Sequence, residues 1–177
     1  RLGGASCIFS YKATGIEDNE PRPNASALNK LFKGLTKLKG IGVLHTDNAD
    51  PSIIANHPDE SEKILQMITG TCTSGNLLSL GLESADPAVA ESNNLNSSPK
   101  EVLKAAKMIN KAGAERGLTG LPKLLPGLNF LAGLEGETES TFEHNRRFLE
   151  DIVFQGLFLR RINIRQVSPL RQDFLRT

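Results

Sequence analysis

The chain has 177 residues, 38% hydrophobic and 23% charged, which is enough for one domain with its own core and no disulfide staples. Lysine and arginine total 21 against 20 acidic residues, so bulk charge marks no large basic field of the kind that grips nucleic acid. The longest apolar runs fall far short of the roughly 20 residues a helical bilayer crossing needs, and no signal-peptide pattern opens the chain, so a soluble cytoplasmic protein without membrane contact is expected.

The first residue is Arg1, and residues 5–9 read as a strand with almost nothing ahead of it. The expectation is a piece of a longer chain, with removal of a leader as the alternative. Cys7 and Cys72 stand far apart without CxxC or Cys/His spacing; they supply no complete metal or cluster site and fit a reducing compartment. After Pro23-Asn24, Leu28, Leu31, Phe32, Leu35 and Leu38 recur at helical spacing, and residues 42–44 then read as a strand leading to His45, Asp47 and Asn48. Residues 60–67 predict a second helix with Ile64, Leu65 and Ile68 inward, followed by a strand over residues 77–83. Ser98-Pro99-Lys100-Glu101 is a capping box with proline at the first helical position, and its helix runs through Val102, Leu103, Ala106 and Ile109 to a stop at Gly113.

A loop over residues 117–126 precedes the next strand, residues 128–132. It runs into a turn in which Gly133 and Gly136 permit tight backbone geometry and Thr138 can cap the following helix. Phe142, Phe148, Leu149 and Ile152 mark the inward side of that helix, and residues 157–167 read as a buried final strand broken by Ser168-Pro169. Strands alternating with helices imply a parallel sheet with right-handed crossovers. Five strands are too few for a closed barrel of eight, so the fold class is α/β, a partial TIM-barrel-like (β/α) barrel or open sheet, truncated at its N-terminal side, in a single domain over residues 1–177.

Chemistry in such folds gathers at strand C-termini, which singles out His45, Asp47 and Asn48, then Glu83 and Ser84, then Glu135 and Glu137, then Arg165 and Gln166. Asp47 and Asn48 equally suit turns before Pro51, His45 suits an ordinary loop histidine, and the acidic residues near Gly133 equally suit a positive helix end. Glu83 is sharper, because a carboxylate after Leu80-Gly81-Leu82 is desolvated unless partnered. Lys30, Lys33 and Lys37 read as a solvated helix face, Arg160 and Arg161 as solvated strand-start residues, and Asn24-Ala25-Ser26 and Asn96-Ser97-Ser98 as chance matches to a glycosylation acceptor. The chain carries no GxxxxGK[ST] loop, strand-linked GxGxxG, HExxH or GxSxG, which removes support for nucleotide hydrolysis, zinc hydrolysis and serine-type acyl transfer.

Taken in order, Gly81-Leu82-Glu83-Ser84-Ala85-Asp86, Leu95-Asn96, the capped helix from Ser98, Asn129-Phe130-Leu131-Ala132-Gly133 with Gly136-Glu137-Thr138, and Ile162-Asn163-Ile164-Arg165-Gln166-Val167 resemble the latter half of a radical S-adenosylmethionine enzyme, in the branch of the methylthiotransferases and archaeal Fe–S oxidoreductases. The resemblance is strongest over residues 77–169. It implies a partial (β/α)6 barrel binding S-adenosylmethionine, with a [4Fe–4S] cluster, fed by an electron donor, cleaving it to a 5′-deoxyadenosyl radical that acts on an unknown substrate. It also implies cofactor contacts from Glu83 and Ser84, from the segment 127–135 with Asn129, Gly133 and Glu135, and from Arg165, Gln166 and Val167; His45, Asp47 and Asn48 fall to the substrate. The family's CxxxCxxC loop is absent here, so the resemblance implies that the cluster ligands and first strand belong to a preceding part of the parent enzyme, and that this piece alone is inactive. Unpaired edges then imply a homo-oligomer. A metal-independent β/α barrel enzyme or small-ligand binding domain using His45, Asp47, Glu83 and Arg165, or a noncatalytic scaffold, are the other readings.

Overall fold

The computed structural model describes residues 2, 7–17 and 20–167. A 3-10 turn, Ile8–Ser10, leads to a short antiparallel hairpin of β1 (Ile16–Glu17) and β2 (Glu20–Pro21), then helix α1 (Ala25–Leu35). Next come β3 (Asn48–Ala49), α2 (Pro51–Asn56), α3 (Pro58–Thr71), β4 (Asn76–Glu83), α4 (Pro87–Ser92), α5 (Pro99–Gly113), β5 (Leu124–Ala132), α6 (Glu139–Phe154) and β6 (Arg161–Gln166). Strands β3, β4, β5 and β6 form one parallel sheet in that order, so the α/β alternation read from the sequence is the architecture observed.

Side chains alternate along a strand, so residues two apart share a face. Leu78, Leu80 and Leu82 of β4 and Leu124, Leu128 and Phe130 of β5 are buried on the face that receives α5, against which α2 and α3 pack in turn. Ile64, Leu65 and Ile68 of α3 and Val102, Ala106 and Ile109 of α5 fill the same core, as their helical spacing predicts. Local chemistry starts the helices. Asn24, Asp50 and Asp86 each accept a backbone N–H at a helix entrance, and Ser98 and Glu101 make the predicted reciprocal box: the Ser98 N–H donates to Glu101 Oε2 at 2.8 Å and the Glu101 N–H to Ser98 Oγ at 3.3 Å.

Several boundaries differ from the sequence reading, each for a physical reason. The strand expected over 42–44 lies later, at Asn48–Ala49, because the preceding segment is held by side chains: the Leu44 N–H donates to Thr73 Oγ1 and the Thr46 N–H to Asn76 Oδ1. Helices α2 and α4 occupy stretches to which the sequence reading assigns no element, each entered through an Asp-Pro pair in which the aspartate caps and the proline sits in the first turn. Strand β5 starts at Leu124, earlier than expected, and contains Pro126; its carbonyl accepts the Arg160 N–H, so the missing donor faces the side where β6 is only entering. Strand β6 is exposed along most of its length rather than buried, because it is an edge of the sheet. Phe142 is 60% exposed on α6, whereas Phe148 and Ile152 are buried as expected. Of the strand expected over 5–9, residues 5 and 6 lie outside the described residues and Ile8–Ser10 is a 3-10 turn; Ser168 and Pro169 also lie outside. Among the described residues no helix is long and apolar enough to cross a membrane.

Candidate functional site

The second face of the sheet is polar, and the strand register builds it in rows. Ser79 of β4, Gly127 of β5 and Arg161 of β6 are neighbours; one Arg161 Nη2 donates to Ser79 Oγ at 3.2 Å, across a position where a Cβ would meet Leu77 Cδ1 at 2.8 Å. The next row is Gly81, Asn129 and Asn163, in which Asn163 Nδ2 donates to Asn129 Oδ1 at 2.8 Å. Glu83 lies two residues beyond Gly81 and pairs opposite Phe130. A bulge shifts the β4–β5 register between Gly81 and Glu83, and the carboxylate folds back so that a Cβ on Gly81 would stand 2.7 Å from Glu83 Oε1. A cleft of about 430 Å³ opens beside it, lined by Asn48, Gly81, Glu83, Asn94, Asn96 and Asn129 among others.

The backbone at Glu83 is strained. Its φ is +64°, a left-handed value for a residue with a side chain, and the Ser84 N–H donates to the Leu82 carbonyl at 2.7 Å, closing a three-residue turn. Strain of this kind is retained where neighbours over-determine it. The Ala85 N–H donates to Asn145 Oδ1 at 2.7 Å, the Asp86 N–H to Ser84 Oγ at 3.2 Å, and Thr141 Oγ1 to Asp86 Oδ2 at 2.7 Å. The Thr141 hydroxyl, together with helix amides, holds the Asp86 carboxyl below its ordinary pKa.

Burial pushes the Glu83 carboxyl up, opposed by the positive charge of Arg165. A carboxyl whose folded pKa exceeds its unfolded value of about 4.3 weakens the fold as pH rises through that interval, because the unfolded state releases its proton first. Glu83→Gln is therefore expected to gain stability over the parent at pH 7.5, with the gain vanishing below about pH 4. Urea midpoints at the two pH values check this; an equal offset at both would show that the charge is not involved.

Other residues singled out from the sequence fall differently. Asn48 is exposed, paired beside Ser79, and lines the cleft. Asp47 immediately precedes β3, and its carbonyl accepts the Ser79 N–H. His45 does not join them. With the strand beginning at Asn48, it lies toward the opposite end of the sheet, beside a second cleft shared with Arg160 and Arg161. Its buried Nε2 has no hydrogen-bond partner among the described residues. Ser84 is fully buried and its hydroxyl accepts the Asp86 N–H, so it shapes the turn instead of facing the cleft.

Gly133 and Gly136 have φ of +87° and +82°, as the turn requires, and the Gly133 N–H donates to Glu137 Oε2 at 2.7 Å. The backbone of Glu135 is clamped at both its N–H and its carbonyl by the amide of Asn93, which docks the glycine turn on the loop after α4. At the entry of α6 the Thr138 N–H donates to Thr141 Oγ1, and Thr138 Oγ1 pairs with the Ser140 hydroxyl. Arg165 lies opposite Leu131, Gln166 opposite Ala132, and the Val167 N–H donates to the Ala132 carbonyl, so all three stand at the C-terminal end of β6.

Sequence reasoning missed Asn163, although its two-residue spacing from Arg165 on a strand was a usable signal. It gave no site role to Asn94, or to Asn96 beyond the Leu95-Asn96 motif and a chance glycosylation match, and no periodicity marks either. Among the described residues, no three His, Cys, Asp or Glu side chains gather to hold a metal ion. Both cysteines are buried; Cys7 Sγ accepts the Asp50 N–H, and burial pushes the Cys72 thiol up to about 11.

No family model matches the chain. It is 48% identical over 170 residues to an uncharacterized protein of Methanocaldococcus jannaschii, covering 96% of this chain and 31% of that protein. It is 46% identical over 169 residues to an uncharacterized protein of Archaeoglobus fulgidus, covering 95% and 32% respectively. A third similarity, 24% over 154 residues, is to an uncharacterized protein of Methanopyrus kandleri, covering 86% of this chain and 26% of that protein. The chain thus spans about a third, or less, of the length of the curated relatives it matches.

Proposed function

We propose that the chain is the S-adenosylmethionine-binding portion of a radical S-adenosylmethionine enzyme, its parallel sheet forming part of a (β/α)6 barrel. The observation that carries this reading is that Glu83 and Asn129 line one open cleft toward the C-terminal ends of neighbouring parallel strands, with Asn163 of the next strand bonded to Asn129. The missing Cβ at Gly81 is the second support, since it makes the space into which the carboxylate folds.

In this reading the Glu83 carboxyl oxygens receive the ribose hydroxyls or the ammonium of the methionine part. The amides of Asn129 and Asn163 present donors and acceptors beside it, the segment 127–135 lies along the adenine, and Arg165, Gln166 and Val167 approach its edge. The cofactor supplies radical chemistry when bound; this chain binds and orients it. The described residues do not fit a [4Fe–4S] cluster, which needs three thiolates for the family's ligand set, so no step in this chain is assigned to one. The cluster, its electron donor and the substrate belong in this reading to the longer protein. A metal-independent enzyme using His45 together with Glu83 is less well supported, because His45 lies by the other cleft.

Isothermal titration of the chain with S-adenosylmethionine tests the proposal. Binding is expected, weakened about tenfold by Glu83→Gln, the equivalent of one charge-assisted hydrogen bond. A folded chain that shows no saturable binding would reject it.

Self-association is the partner expectation that the edge strand supports. Ile164 of β6 is 74% exposed on the strand that ends the sheet among the described residues. Light scattering over a dilution series should show a dimer that Ile164→Lys dissociates; a monomer at high concentration would count against it.

A further inference from the structure

The strained turn at Glu83 is held from a helix that does not itself reach the row of polar side chains. From Leu82 to Asp86 the backbone makes a three-residue turn and then a serine-capped bend before entering α4, and two side chains of α6 fasten its exit. Asn145 Oδ1 accepts the Ala85 N–H at 2.7 Å, from a position 60 residues further along the chain. Thr141 Oγ1 donates to Asp86 Oδ2 at 2.7 Å, and both of those residues are buried. The local bonds of the turn work against a cost, since a residue with a side chain pays for φ above zero and a three-residue turn of this hand is rare; the two bonds from α6 add support from outside the segment. Relaxation of the turn would swing the Glu83 carboxylate off Gly81 and away from Asn129.

We propose that Asn145 and Thr141 are positioning residues for Glu83, clamping from α6 the turn that presents its carboxylate to the cleft. The effect on cofactor binding rests on the function proposed above; the effect on Glu83 itself does not. The arrangement has a specific chemical signature at Asn145: toward Ala85 it is the acceptor oxygen that is used, so aspartate can replace it whereas leucine cannot.

The test follows the Glu83 side-chain carboxyl by carbon-13 NMR, assigned by its loss in Glu83→Gln, together with hydrogen exchange at the Ala85 amide and S-adenosylmethionine titration. Asn145→Leu is expected to move the Glu83 resonance, speed exchange at Ala85 and weaken binding about tenfold, with Asn145→Asp restoring all three. Weakening by Asn145→Leu should disappear in the Glu83→Gln background, because both changes remove the same contact. Thr141→Val, which keeps side-chain volume, should act in the same direction and serves if Asn145→Leu does not fold. A moved Glu83 resonance without any cofactor binding by the parent chain would uphold the positioning role and reject the cofactor. An unmoved resonance in the folded variants, or losses that add to those of Glu83→Gln, would overturn the proposal.

Discussion

Gly113→Ala is expected to destabilise the fold by about 2 to 3 kcal/mol, although alanine is the better helix former by about 1 kcal/mol. Gly113 is the last residue of α5 and is buried where the helix meets the start of β5. A Cβ there would lie 2.0 Å from the carbonyl oxygen of Leu124 and 2.8 Å from its Cβ. The obstacle is backbone, so no rotamer change relieves it, and Leu124 is already tied into the sheet opposite Asn76. Overpacking of this kind costs about 3 kcal/mol or more, which exceeds the propensity gain. The control has the opposite sign: Gly34 of α1 and Gly70 of α3 meet nothing within 4 Å, so alanine at either is expected to stabilise by up to about 1 kcal/mol. Urea unfolding of the three variants decides the matter, and a Gly113→Ala protein as stable as the parent would show that α5 packs elsewhere.

Asn76→Leu is expected to cost about 3 kcal/mol for a different reason. Asn76 is fully buried at the start of β4 and makes two bonds to Thr46, accepting its backbone N–H at 3.0 Å and donating to its hydroxyl at 2.8 Å. Leucine removes both bonds from the buried Thr46, at about 1 to 3 kcal/mol each. Adding Thr46→Val removes the hydroxyl and should recover part of the loss, leaving the amide as the residual term. Because the segment before β3 reaches the sheet through such side-chain bonds, hydrogen exchange at Thr46 should accelerate more than exchange at Leu80 in the middle of β4. Uniform acceleration would mean that Asn76 supports the whole sheet and not this segment.

How much of the molecule was legible depended on whether the determining forces were local. Helices α1, α3 and α5 could be read because apolar spacing and capping residues act within one or two turns: Ser98 and Glu101 meet their own neighbours, and Ile64 and Ile68 fall on one side whatever packs there. The parallel order of strands followed from their alternation with helices, and Glu83 stood out because a carboxylate closing an apolar strand requires an environment. Even the glycine turn was local, since positive φ at Gly133 and Gly136 is a property of those residues.

What the sequence by itself determined is therefore the alternating α/β pattern, the core faces of its helices, and the strand end that carries Glu83. Only the tertiary structure decided which of the polar residues meet. The segment carrying His45 is positioned by Asn76 and Thr73, some 30 residues away, so its strand begins at Asn48 and the histidine falls by the opposite cleft. Asn163 joins Asn129 because the β5–β6 register pairs them, and Ser84 stays on the buried side with Leu78, Leu80 and Leu82, where its hydroxyl accepts the Asp86 N–H. Register and long-range hydrogen bonds connect residues that are distant along the chain, and no pattern within a short window encodes them.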